Sequence, residues 1–176
     1  LAGVKINLSR QSKMEHQNLD VVINQLDQSV SELRRIARNM MPESLVRFGL
    51  QTSLRDLCES LSNDDTNTRF EAIGVKDDID LSTQIVIYRI IQEALSNAIR
   101  HADAKNILLQ CSQNDDTFFI TVEDDGKGFN TGELQSKKGI GLSNIENRVK
   151  YLHGKLDIVS HPDEGTTLNI EVNVAA

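Results

Sequence analysis

Residues 123–142 read EDDGKGFNTGELQSKKGIGL. Two glycine pairs, Gly126/Gly128 and Gly139/Gly141, frame a polar stretch without apolar periodicity, and Asp124 and Asp125 stand just before the first pair. The preceding TFFITVE, residues 117–123, alternates like a strand, so the first pair turns the chain as it leaves a sheet. Ile140–Leu152 carries helical periodicity, so the second pair opens a helix, with Gly154 as its stop. Glycine lets a backbone approach a flat ligand where a Cβ would clash. A carboxylate at the strand end, Asp124, can accept a hydrogen bond from an exocyclic amine such as that of adenine. Free backbone N–H groups at a helix start suit phosphates, and Lys137 and Lys138 add positive charge beside them. One corner thus suits a base and the other suits phosphates. Residues 129–139 between them would close over the ligand as a lid. The stretch is neither a dinucleotide fingerprint, since no GxGxxG opens a helix directly after a strand, nor a Walker A loop.

The chain around this loop has 176 residues, enough for one medium domain or a small domain with an appendage. A net charge of −7 argues against nucleic-acid binding through a basic surface, so an anionic ligand must be held locally. Cys58 and Cys111 both sit in apolar settings and read as buried, reduced thiols. No apolar run approaches the ~18 residues of a membrane span, so membrane attachment would use segments outside this chain. A cytoplasmic location follows as the expectation.

Two regions of different composition follow each other. Leu19, Leu26, Leu33 and Met40 interleave with Ile23, Val30 and Ala37 in alternating 4-and-3 spacing, the pattern of a bundle or coiled-coil helix. Leu1, Val4 and Leu8 suggest a helix before it, with EHQN, residues 15–18, as the hairpin turn. One such hairpin offers too little core alone, so a second copy should complete a four-helix bundle as a homodimer. Pro42 should break the second helix, and a shorter one should run over about Leu50–Leu61. The polar SNDDTNT, residues 62–68, then marks a boundary, giving a helical region at 1–62 and a second domain at 63–176. Strands are expected at 69–74, 105–112, 117–123, 156–160 and 166–174, and a long helix at 81–102 capped by Ser82. Most of these strands are adjacent in sequence. The fold class is therefore α+β: a helical hairpin, then a mixed, mostly antiparallel sheet with helices on one face.

The long helix ends in QEALSNAIRHA, residues 92–102. Glu93, Asn97 and Arg100 lie at i, i+4 and i+7, on one stripe of a helix whose other face is apolar. A carboxylate, an amide oxygen and a cation in line suit Mg²⁺ with phosphates, because that ion takes oxygen ligands and keeps several waters. Arg100 and His101 could reach phosphate oxygens, and Glu93 could hold a water or act as a base.

Together these pieces resemble the nucleotide-binding domain shared by sensor histidine kinases, type II topoisomerases, MutL-type repair proteins and heat-shock chaperone ATPases, the Bergerat-type or GHKL sandwich. EALSNAIRHA resembles its N box, DDGKGF its first glycine box and GIGLSN its second; Gly165-Thr166 resembles its late Gly-Thr. The form of these boxes, with RRIARNMMPESLVRFGLQTSLRDL before them, is similar to the nitrate-sensor and fluidity-sensor branch of histidine kinases. The resemblance implies ATP with adenine held by Asp124, Thr166 near the base, Mg²⁺ on Asn97 with Glu93 nearby, and phosphates at the lid and at Gly139, Ile140, Gly141 and Leu142. It also implies a homodimer through the hairpin and a response-regulator receiver domain as phosphoryl acceptor.

In that branch the phosphoaccepting histidine precedes a segment like LAGVKINL, which here begins the sequence, so the acceptor is expected upstream of Leu1. His16, His153 and His161 read as turn or helix-end residues, and His101 belongs to the N box. The expectation is an ATP-binding catalytic core that passes a phosphoryl group to a histidine and then to a receiver. The alternatives are a nucleotide-binding dimerisation module without kinase activity and an anti-sigma-type serine kinase.

Overall fold

The computed structural model describes residues 43–76, 78–133 and 140–175. The chain divides into two compact units, Leu1–Pro42 and Glu43–Ala176. The hairpin expected within the first unit, and the break at Pro42, lie outside the described residues.

The second unit opens with helix α1, Glu43–Leu61, which is interrupted at Gly49 (φ 76°). That positive φ is a conformation glycine adopts without strain, so regular helix resumes at Leu50, where the apolar pattern placed its start. Leu50, Leu54, Leu57 and Cys58 are buried in the core that also holds the sheet residues. The packing therefore joins α1 to the second unit, which begins at Glu43. Arg55 stacks over Phe70, 5.7 Å from the ring centroid, and Gln51 donates to the Val75 carbonyl at 3.0 Å. Both hold α1 against strand β1 and its exit.

The sheet has five strands: β1 Asn67–Ile73, β2 Asn106–Asn114, β3 Thr117–Asp124, β4 Lys155–Ser160 and β5 Thr166–Asn173. Their spatial order is β1-β2-β3-β5-β4. Only β1 and β2 pair in parallel, and the other three pairings are antiparallel. A parallel pair needs a crossover. Helix α2, Leu81–Asn97, supplies it and continues as a wider π-helical turn over Ala98–Ala102. Helix α3, Ile140–Tyr151, lies between β3 and β4.

Strand alternation decides which face is covered. Ile107, Leu109 and Cys111 of β2, Phe118, Ile120 and Val122 of β3, and Leu168, Ile170 and Val172 of β5 are all buried. The register sets Ile120 beside Cys111 and Ile170, and Val122 beside Leu109 and Leu168, so they form one continuous inner face. Against it α2 buries Ile87, Ile90, Ile91 and Leu95, and α3 buries Ile145 and Val149. Each fully buried side chain of this kind contributes roughly 1.5–3 kcal/mol. The mixed α+β sheet with helices on one face is the architecture read from the sequence.

Two local details differ from that reading. The N-cap of α2 is Asp80 rather than Ser82: its carboxylate accepts from the Thr83 N–H at 3.1 Å and from the Ser82 hydroxyl. These hydrogen bonds hold the Asp80 carboxyl down to about 2. Asp80→Ala should cost about 1 kcal/mol of stability, measurable as a shift in the urea midpoint. A depressed carboxylate contributes stability above its unfolded value and loses it as pH falls toward the folded value. The loss in this variant should therefore be full at pH 7 and vanish on approaching pH 2. The second difference concerns length: α-helix ends at Asn97, and the last five residues of the expected helix form the π turn.

Both cysteines are free and buried, as the apolar settings implied. Burial pushes the Cys58 thiol up to about 12 and the Cys111 thiol up as well. Neither is a nucleophile at neutral pH.

Candidate functional site

Antiparallel pairing of β3 with β5 sets Asp124 opposite Thr166 at the end of the sheet. Both side chains are on the inner face, since Val122 and Leu168, two residues inward on each strand, are core residues. The end of α2 and the start of α3 pass above them, and a cavity of about 530 Å³ opens between the layers. That is the size of a pocket for one small molecule.

The cavity gathers residues from every stretch singled out in the sequence: Glu93, Asn97, Arg100 and His101 from α2 and its π turn, Asp124 and Gly128 after β3, Ile140, Gly141 and Leu142 from α3, and Thr166. Ala94, Ala98, Ala102, Val122, Phe129 and Leu168 complete the wall. No motif marks these apolar residues in the sequence, although two follow from period-2 alternation: Val122 precedes Asp124 by two, and Leu168 follows Thr166 by two. Ala94 and Ala98 flank Glu93 and Asn97 on the helix, where small side chains leave room for a ligand.

Asp124 and Asp125, adjacent in sequence, have separate tasks. Asp125 points out of the cavity and accepts from the Lys105 and Asn106 N–H groups at 2.8 and 2.9 Å and from the Asn106 side chain at 2.8 Å. It ties the start of β2 to the end of β3, and these bonds lower its carboxyl. Asp124 is 7% exposed. Its carboxylate accepts from the Gly126 N–H at 3.0 Å. Burial raises the Asp124 carboxyl above its ordinary range, against the pull of the Gly126 and Thr166 N–H groups. A buried acceptor beside apolar Val122 and Leu168 is suited to an amine on a flat apolar ring.

The glycines of the first pair make room for protein. A Cβ on Gly126 would meet the Ala102 carbonyl oxygen at 2.3 Å, and Gly126 is not among the cavity residues. A Cβ on Gly128 would meet the His161 carbonyl oxygen at 2.0 Å. The turn after β3 is thus clasped between the end of the π turn and the loop between β4 and β5. Lys127 donates to Ala102 at 2.7 Å and accepts from the Asp163 N–H at 2.7 Å. Gly165 presses on Asp124 in the same manner, where a Cβ would lie 2.0 Å from the Asp124 carbonyl oxygen. The three glycines lock the walls around Asp124.

At the opposite end Gly141 lies against α2. A Cβ there would stand 2.7 Å from Glu93 Oε1 and 2.9 Å from Asn97 Oδ1. The two oxygen-bearing side chains of the helix stripe therefore converge on the start of α3, as their i, i+4 spacing requires. Asn97 Nδ2 is buried with no hydrogen-bond partner in the protein. An orphaned buried amide in a cavity wall is a group that awaits a ligand or water. Arg100 and His101 are exposed at the cavity rim. Of the lid stretch 129–139, the structure describes 129–133, with one 3₁₀ turn at Thr131–Glu133. Lys137, Lys138 and Gly139 lie outside the described residues.

A mixed sheet covered on one face by helices, with a cavity running from a buried strand-end acid to a helix start, defines a nucleotide-binding α+β domain. The chain belongs to the histidine kinase-, DNA gyrase B- and HSP90-like ATPases: the model of that family matches residues 82–176, more than half of it. It is similar to the sensor histidine kinase MctS of Rhizobium johnstonii, 28% identical over 85% of this chain and 33% of that protein. It is also similar to the sensor histidine kinase ComP of Bacillus subtilis, 30% identical over 85% of this chain and 20% of that one. The sensor protein VraS of Staphylococcus epidermidis matches 97% of this chain and 49% of its own length at 25% identity. The chain thus spans about a fifth to a half of these relatives. Among solved structures, the Erythrobacter litoralis EL346 blue-light activated histidine kinase shares the fold with a TM-score of 0.60 over 71% of this chain and 42% of that one, at 21% identity. No helix among the described residues is long and apolar enough to cross a membrane.

Proposed function

We propose that this chain is the ATP-binding catalytic region of a two-component sensor histidine kinase. In this reading it delivers the γ-phosphoryl group of ATP to a histidine, from which a response-regulator receiver domain takes it. The observation that carries this reading is the single cavity that unites Asp124 and Thr166 at one end with Glu93, Asn97 and Gly141 at the other. The span suits a base and a phosphate chain held at once. Relatives named sensor histidine kinases support the choice among ATPases of this family. The homodimer through the helical hairpin that precedes Pro42 and a cytoplasmic location belong to the same proposal.

Each residue then has a task. Asp124 accepts from the exocyclic amine of adenine, and Val122, Leu168 and Ala98 cover the ring. The N–H groups of Ile140, Gly141 and Leu142 at the start of α3 face phosphate oxygens, and Gly139, Lys137, Lys138, Arg100 and His101 complete the phosphate side of this reading. Among the described residues no group of three or more His, Cys, Asp or Glu side chains gathers to hold a metal. The donor set instead fits one Mg²⁺, which the Asn97 amide oxygen would hold with Glu93 nearby. Bound there, it would neutralise charge on the leaving phosphoryl group. Transfer of this kind needs little covalent work from the protein, so positioning and charge stabilisation are the contribution of the domain. Glu93 orients the metal shell or the incoming acceptor.

The test is transfer in trans. The chain is incubated with γ-labelled ATP, Mg²⁺ and a separate dimerisation hairpin carrying an acceptor histidine. An acid-labile, base-stable phosphoprotein is the expected product. An acid-stable one would indicate a serine kinase, and binding of ATP with no transfer would leave a nucleotide-binding module.

A further inference from the structure

One residue that no motif singled out ties the base end of the cavity together. Ser160, the last residue of β4, is 2% exposed. Its Oγ accepts from the Phe129 N–H at 2.9 Å, donates to the Gly165 carbonyl at 2.9 Å and lies 3.0 Å from Thr166 Oγ1. It thus joins the first residue of the lid stretch, the glycine that presses on Asp124, and the hydroxyl opposite Asp124.

A serine hydroxyl has one proton and two lone pairs. The Gly165 carbonyl can only accept, so it takes the proton of Ser160. The Phe129 N–H takes one lone pair. The Thr166 contact must then use the other, with Thr166 as donor. This fixes the rotor of Thr166: its proton points at Ser160, and only lone pairs remain for the cavity. Beside it stands Asp124, an acceptor when ionised. The base end of the cavity therefore presents two acceptors and no hydroxyl donor.

We infer that Ser160 is a positioning residue for base selection: by holding the Thr166 proton away from the cavity it makes this end read a 6-amino purine and reject a 6-oxo purine. The inference rests on the nucleotide reading of the cavity and deepens it. An amine offers hydrogens to the acceptors. A keto oxygen in the same place faces lone pairs, and a site with buried acceptors left unpaired rejects such a ligand strongly. Removing the Ser160 hydroxyl frees the Thr166 rotor to turn and donate to a keto group.

Ser160→Ala tests this through the ratio of affinities for adenosine and inosine triphosphates, each with Mg²⁺, titrated by calorimetry. The preference for the adenine nucleotide should fall by about threefold to tenfold, the worth of one hydrogen bond. Part of the change should be tighter binding of the inosine nucleotide, which a general loosening of the fold would not produce. Ser160→Thr keeps the hydroxyl and should keep the wild-type ratio. Should the alanine variant fold poorly, Ser160→Cys keeps most of the volume with a much weaker hydrogen-bonding group and should shift the ratio in the same direction. In either variant, hydrogen exchange at the Phe129 amide should speed up as its acceptor is lost or weakened. Equal losses for both nucleotides, or an unchanged ratio, would overturn the role of Ser160 and leave the nucleotide site standing. Wild-type protein that binds neither nucleotide would overturn both.

Discussion

Asp124→Asn should lower affinity for adenine nucleotides by about 10- to 100-fold, the worth of a hydrogen bond to a charged acceptor, while the protein without nucleotide stays as stable or gains. The two halves have one cause. Asp124 is buried at the end of β3, and burial raises its carboxyl above the ordinary value near 3.8. An acid whose folded value is raised favours folding in full below its unfolded value, and that contribution is lost as pH rises through the folded value. At pH 7 the ionised carboxylate therefore opposes folding, with the Gly126 and Thr166 N–H groups offsetting part of the cost. Asparagine keeps an oxygen for those donors and removes the charge. Urea melts of the two proteins should give similar midpoints near pH 4 and a variant at least as stable at pH 7. A variant that is both unstable and binding-deficient would mean that Asp124 serves the fold alone.

Gly128→Ala and Gly141→Ala should fail in opposite ways. At Gly128 the added Cβ meets the His161 carbonyl at 2.0 Å and the Gly165 carbonyl at 2.7 Å, on a backbone with φ 53°. Both obstacles are main chain, and the left-handed conformation is unfavourable for alanine. The cost should be at least about 2–3 kcal/mol of stability, combining an overpacked contact with backbone strain. At Gly141 the nearest atoms are the ends of two side chains, Glu93 Oε1 and Asn97 Oδ1. These can swing aside, so stability should change by less than about 1 kcal/mol. The converging oxygens would be displaced, and Mg²⁺-dependent nucleotide binding should drop several-fold. Thermal melts and calorimetry on the pair separate a glycine that closes the fold from one that opens the site. Equal melting points in the two variants would contradict this division.

Much of this was legible because the decisive residues lie on regular elements. Glu93, Asn97 and Arg100 share a helix stripe by their spacing alone, and the structure brings Glu93 and Asn97 to one point at Gly141. The strand alternation of TFFITVED determines that Asp124 shares the inner face with Val122. The α1 helix was harder to assign. Its amphipathic pattern says that it packs on something apolar, and the partners it finds, β1 and α2, are a tertiary choice. The cap of α2 was misassigned because Asp80 and Ser82 are both good capping residues, and only the backbone turn selects one. The roles of Gly126 and Gly165 were also hidden. A glycine announces a close approach, and whether a ligand or a carbonyl makes it depends on loops distant in sequence. Ser160 gave no signal, since its importance lies in three partners that converge from two other segments.

The most direct measurement is calorimetric titration of this chain with ATP, with and without Mg²⁺. One site per chain is expected, weakened when Mg²⁺ is withheld and weakened again, with Mg²⁺ present, in Asn97→Ala. Binding that ignores both Mg²⁺ and Asn97, or no binding at all, would contradict the assignment of this cavity as the seat of a base and a metal-bound phosphate chain.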